Sequence, residues 1–262
     1  YDRWIRSRQN AAISAVRDGF NQYRFDLAAQ AVYEFTWYEF CDWYLEFSKT
    51  VLQSQSSTQE ERRGTRRTLI ETLETLLRLL HPLMPFITEE IWQRVGPLAG
   101  KSGDSIMRQP FPVAATAGSD PDAEAGARWA MDFILGVRRI RGEFDIAPSI
   151  HVPVLLQNAS AADKAHCASS ASAIYRLAGV NDIRWLGEDD AAPQSATVLM
   201  GDMTIHVPMA GLIDVDAELA RLGKRRSKVE QDLARSEAKL GNGNFVRNAP
   251  PEVVAQERER IE

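Results

Sequence analysis

Tyr33-Glu-Phe-Thr-Trp-Tyr-Glu-Phe-Cys-Asp-Trp-Tyr-Leu-Glu46, with Phe47 behind it, places eight large rings within fifteen residues. An amphipathic surface helix hides a stripe only about 100° wide, too narrow for so many rings. The stretch therefore reads as part of a helix from roughly Phe25 to Leu52, buried on several sides at the centre of a bundle.

The flanks supply the rest of the bundle. Trp4, Ile5, Ala12, Val16 and Phe20 recur at helical spacing behind Asp2, which can cap that helix, and Gly19 and Asn21 mark its end. After the polar loop Gln53–Thr58, a third helix carries Leu69, Leu73, Leu76, Leu77 and Leu80. His81-Pro82 breaks it, and Pro82 and Pro85 open a fourth helix ending near Val95-Gly96. Residues 96–120, rich in Gly, Pro, Ser and Ala, are an irregular connection. Residues 121–141 return to helix, with Trp129, Phe133, Ile134 and Val137 on one face. Thereafter Val152–Leu156 reads as a strand and Ala161–Leu177 as a helix. Ile183–Leu186, Ala196–Met200 and Met203–Val207 read as further strands, the last two joined by a Gly201-Asp202 turn. From Leu212 the period becomes 3.5, through Val215, Leu219, Leu222, Arg226, Val229, Leu233, Ser236 and Leu240, which is the seam of a coiled coil. Gly241-Asn-Gly-Asn ends that helix, and Pro250-Pro251-Glu252 starts another that is still helical in pattern at Glu262.

The expected fold is mainly α: a helical bundle over 1–120, a helix with a small α+β unit over 121–213, and a coiled-coil hairpin over 214–262 with its second arm cut short. The chain opens on Tyr1 inside a helical pattern, which suggests a piece of a longer polypeptide. It has 262 residues, 44% hydrophobic and 26% charged, with a net charge of -5. No apolar run reaches the length of a membrane helix, and no signal peptide precedes the first helix. Cys41 and Cys167 stand far apart, which fits a reducing cytoplasm, and the four histidines show no metal-ligand spacing. An acidic total is not the mark of a nucleic-acid binder, but charge is distributed unevenly. Residues 214–262 hold ten basic and ten acidic groups, segregated by sign.

Several words in the sequence resemble valyl-tRNA synthetases. Tyr23-Arg-Phe-Asp-Leu-Ala-Ala-Gln-Ala31 and the aromatic run are similar to the central helix of that family's anticodon domain. Leu79-Leu-His-Pro-Leu-Met-Pro-Phe-Ile-Thr-Glu-Glu-Ile-Trp92 resembles a block shared with the leucyl and isoleucyl enzymes. Asp2-Arg-Trp-Ile-Arg-Ser-Arg8 is similar to the helix that follows the catalytic domain. Val215-Asp-Ala-Glu-Leu219 and Lys239-Leu-Gly-Asn-Gly-Asn-Phe-Val-Arg-Asn-Ala-Pro-Pro-Glu-Val-Val254 resemble the C-terminal arm of valyl enzymes. The resemblance implies a class I ligase's tRNA-binding part, with anticodon and elbow of valine tRNA as partners. It also implies a monomer, and ATP and magnesium bound in a catalytic domain elsewhere. The family's His-Ile-Gly-His and Lys-Met-Ser-Lys-Ser signatures are absent from these residues, so no catalytic residue and no cofactor is expected here.

RNA loops are read by bases stacked on aromatic or guanidinium planes, with phosphates held by Arg and Lys. In related methionyl enzymes an Arg in the first helix and a Trp late in the aromatic helix help read the anticodon, and Arg8 and Trp43 stand at similar positions. Trp43 among so many rings reads more readily as core, and Arg8 equally as surface packing. Arg24 is a third candidate, while Arg62, Arg63, Arg66 and Arg67 read better as a solvated helix end. Arg138, Arg139 and Arg141 resemble the family's Arg-x-Ile-Arg block and suit RNA contact or structural ion pairing. In the arm, Arg221, Lys224, Arg225, Arg226 and Lys228 fall within eight positions without an acid. Arg221, Lys224, Arg225 and Lys228 make a stripe suited to phosphates or to solubilising a coiled coil. The competing function is a helical scaffold for a protein partner.

Overall fold

The computed structural model describes residues 1–262 except 116–117, 188, 213–214, 243–244, 246, 248–249 and 260–262; within the last two helices the side chains of 215–218, 221 and 257 also lie outside the description. The chain divides into two compact units, Tyr1–Arg141 with Ala147–Pro208, and Gly142–Ile146 with Met209–Glu262. The bundle and the small α+β part thus share the first unit.

Helix α1, Asp2–Asn21, buries Trp4, Ile5, Ala12, Ile13 and Val16. Asp2 does not cap it: Tyr1 is the N-cap residue, and the Asp2 carboxylate accepts from Tyr44 Oη at 2.8 Å and Thr65 Oγ1 at 3.0 Å. A buried phenol needs an acceptor, and tertiary contact took Asp2 from the cap. A tight turn leads to α2, Phe25–Glu34. A Cβ on Gly19 would meet the backbone nitrogen of Ala28 at 2.8 Å, so only glycine lets α1 and α2 approach this closely.

Helicity then continues without a break to Leu52, but with a change of winding. Phe35–Tyr44 is a π-helix, and α3 spans Leu45–Leu52. Phe35, Phe40, Tyr44 and Phe47 are buried as expected, whereas Tyr33, Trp37 and Tyr38 are each more than half exposed. The aromatic helix is therefore a core element on one side and a surface on the other.

Helix α4, Gln59–Leu80, starts at a reciprocal cap: Thr58 Oγ1 accepts from the Glu61 amide, and the Glu61 carboxylate accepts from the Thr58 amide. His81 Nδ1 lies 2.7 Å from Thr88 Oγ1, closing the break to α5, Pro85–Leu98. Leu77 and Trp92 pack with Ile106 from a short 3₁₀ turn, Ile106–Arg108. Trp92 Nε1 donates to Glu74 at 3.0 Å, and Arg78 grips the same carboxylate with two nitrogens at 2.9 and 2.7 Å.

Helix α6, Pro121–Glu143, runs from the bundle into the small sheet. Strands β1 (Val152–Gln157), β2 (Val180–Trp185), β3 (Ser195–Met200) and β4 (Met203–Pro208) lie in the order β2-β1-β4-β3. β1 and β2 are parallel, joined by α7 (Ala161–Ala178), while β3 and β4 form the expected hairpin with Met200 opposite Met203. Alternation puts Val152, Val154 and Leu156 of β1 inside, with Met203, Ile205 and Val207 of β4. α7 ends at Gly179 with φ +67°, and a Cβ there would also meet Arg141 Nη1 at 2.7 Å.

In the second unit α8 covers Val215–Gly241 and α9 covers Pro251–Glu259. At about 1.5 Å per residue α8 is roughly 40 Å long and α9 about 13 Å. Ser236 and Val254 are buried, while the seam residues Leu219 and Val229 are 63% and 59% exposed. Val215 belongs to the expected seam, but its side chain is outside the description, as are residues 243–244 of the expected turn. Among the described residues no helix is long and apolar enough to cross a membrane.

Candidate nucleic-acid interface

Between α1, the π-helix and α6 lies a cleft of about 270 Å³. Trp4 and Arg8 line it from α1, Tyr38, Glu39 and Trp43 from the π-helix, and Glu124, Arg128, Met131, Asp132 and Leu135 from α6. The winding assembles this wall. Positions five apart in an α-helix sit about 140° apart, at 100° per residue. A π-helix bonds i to i+5, which brings such positions to nearly one face. Tyr38 and Trp43 are five apart and both reach the cleft. Phe47 backs Trp43 with ring centroids 5.4 Å apart and planes inclined by 29°.

Three of the five charged side chains in the cleft are paired with one another. Arg8 donates Nε and Nη2 to Glu39 at 3.0 and 2.9 Å, and its Nη1 lies 3.5 Å from Glu124. The hydrogen bond to Glu39 is the main reason the guanidinium is held more firmly charged than usual. Ser7 Oγ donates to Glu124 at 2.5 Å. In all, two cations face three carboxylates beside three aromatic rings, so the cleft is not a cationic one.

The second basic feature is on α8. Lys224, Arg225 and Lys228 are exposed, the first two lying four and three residues before the third along one helix. Arg226 is drawn to Glu230 at 3.4 Å. The Arg221 side chain lies outside the described residues.

Two family models match the chain. One, the anticodon-binding domain of tRNA ligase, matches residues 2–156, from α1 to Leu156 of β1 and including every wall of the cleft. The other, the valyl tRNA synthetase tRNA binding arm, matches residues 214–262, which hold α8 and α9. The chain belongs to the valyl-tRNA synthetase family. It is the tRNA-binding portion of a valine–tRNA ligase.

Within this valyl-tRNA synthetase fold, the residues named from sequence fall into three groups. Arg8 and Trp43 meet in the cleft. Arg24 does not: it lies beyond the end of α1, as the N-cap residue of α2. There it grips Asp26 at 2.9 and 2.6 Å, and that hydrogen bond holds the Asp26 carboxyl down at about 2. Arg138, Arg139 and Arg141 are also away from the cleft. Arg138 Nε donates to the Leu177 carbonyl at 2.9 Å, and Arg139 is exposed. Arg141 is buried, and its nitrogens donate to the carbonyls of Gly179 at 3.2 Å and Ala147 at 2.7 Å. It ties α6 to the small sheet instead of facing RNA, a correction that follows from its burial. Sequence reasoning missed Tyr38, Arg128 and Asp132. The spacing of Arg128, Asp132 and Leu135 on α6 was visible, but nothing local marks that face as a wall.

Proposed function

We propose that the chain selects and holds valine tRNA at two places, the anticodon in the cleft and the tRNA elbow's sugar-phosphate backbone along α8. The meeting of Arg8, Tyr38 and Trp43 in one cleft carries this reading. Rings at such a cleft can stack an unpaired base, and the polar edges can then be read. The α8 stripe supplies what the cleft lacks, cations set for phosphates that carry no base information.

In this reading the ligase's ATP and magnesium are bound by its catalytic domain, and these 262 residues hold RNA as a monomer without activating valine. Free Cys41 and Cys167 fit a reducing cytoplasm. The test is binding of valine tRNA and of a non-cognate tRNA by the whole chain over a range of salt. Tighter binding of valine tRNA, with steep salt dependence for both, is the expected result. Equal binding of both tRNAs at every salt concentration would overturn the selection.

A further inference from the structure

Three carboxylates line the cleft, and they differ in one respect. Glu39 is held by two nitrogens of Arg8, and Glu124 accepts from Ser7 and lies beside Arg8. Asp132 has no hydrogen-bond or ion-pair partner among the described residues, and neither has Arg128, one turn before it on α6. Both side chains stand on the exposed surface of that helix. The α6 wall from Glu124 to Leu135 is about 16 Å long by helical rise, enough to run past a base and its neighbour.

We infer that Asp132 is a specificity-determining residue of the cleft, accepting a hydrogen bond from the exocyclic amine of a stacked base and rejecting a base with a carbonyl there. The inference rests on the cleft being the anticodon site. A carboxylate has only acceptors to offer. It therefore pairs with the amine of cytosine or adenine and repels the carbonyl oxygen that uracil or hypoxanthine carries at the same position. Rings from the π-helix set the plane of the base, and α6 stands across the cleft from them to meet its edge. Arg8 fixes the other two carboxylates and leaves Asp132 as the open acceptor. Valine codons begin with G-U, so a valine anticodon ends in adenine and cytosine, and both carry such an amine.

The test uses the whole chain and anticodon stem-loop RNAs in which cytosine is replaced by uracil, or adenine by hypoxanthine. Each replacement changes the amine to a carbonyl and turns the ring nitrogen beside it from an acceptor into an N–H donor, leaving the size and shape of the base nearly unchanged. The unaltered chain is expected to bind one amine-bearing RNA about tenfold or more tighter than its deaminated form. Asp132→Asn, whose amide can turn its nitrogen toward a carbonyl, is expected to shrink that preference severalfold or reverse it. The helical circular dichroism should be unchanged, since no described contact is lost. Trp43→Ala serves as the control on the site itself. If Trp43→Ala weakens stem-loop binding while Asp132→Asn leaves the amine preference intact, the cleft is the anticodon site and Asp132 is not its reader. If neither substitution alters stem-loop binding, the anticodon lies elsewhere and both readings fall.

Discussion

Glu74 sits 1% exposed between the Arg78 guanidinium and the Trp92 indole, and it joins α4 to α5 by a charged group. Removing it strands a guanidinium and an indole N–H that are mostly shut off from water. Losing one partner of a buried pair costs about 3–5 kcal/mol, so Glu74→Ala should lower the urea midpoint by a corresponding amount without changing the slope. Trp43 behaves differently because it is only half-buried. Trp43→Ala is expected to cost about 1–3 kcal/mol in valine tRNA affinity, the usual value of a stacked base. A fall in melting temperature with tRNA preference unchanged would make it a core residue only. Arg8→Ala should weaken anticodon discrimination too, since it frees Glu39 and Glu124 from their fixed positions.

At the scale of elements, α7 begins with a cap that also supports α6. Ser160 and Asp163 cap each other reciprocally, and Asp163 Oδ1 accepts from Trp129 Nε1 at 2.8 Å. Burial pushes the Asp163 carboxyl up, but hydrogen bonds from Ser160 and Trp129 outweigh it and hold the group below its ordinary value. A depressed carboxyl stabilises the fold above its unfolded value of about 4, and that contribution fades as pH falls below it. Asp163→Ala should therefore lose about 1–2 kcal/mol at neutral pH, and the gap from the unaltered chain should close in acid. On α8, Lys224, Arg225 and Lys228 changed together to Gln should weaken every tRNA and flatten the slope of log affinity against log salt by about two to three. An unchanged slope with an intact helical spectrum would reduce the stripe to a solubilising face. The helix limits and the β3–β4 turn could be read from sequence because they depend on local caps, prolines and the Gly201 turn. The π-winding could not, since Thr36, Glu39 and Asp42 recur every three residues, a spacing that an ordinary α-helix accommodates as well. The α6 wall was hidden for another reason: Arg128 and Asp132 look like any solvated helix surface until the π-helix stands opposite.

The molecule as a whole consists of two compact units, and the two proposed RNA contacts fall one in each. Residues 1–208 contain the cleft and all the bonds that frame it, while α8 and α9 belong to the other unit. A chain ending at Pro208 is expected to keep its helical spectrum and its preference between tRNAs, with lower affinity and a shallower salt slope. Loss of preference in that shortened chain would mean that the arm itself reads sequence. The intact chain, freed of host enzyme, should show no valine-dependent ATP–pyrophosphate exchange. Tolerance to mutation should also be uneven along the chain, in a way set by the π-helix. Deleting one residue between Phe35 and Tyr44 would break the five-residue bonding and put the side chains beyond it out of phase with those before it. Tyr44 and Phe47 would swing out of the core as Trp43 left the cleft. Substitutions where this stretch faces neither the core nor the cleft are therefore cheap, whereas insertions and deletions are not: the number of residues here is constrained more tightly than the identity of the outward-facing ones.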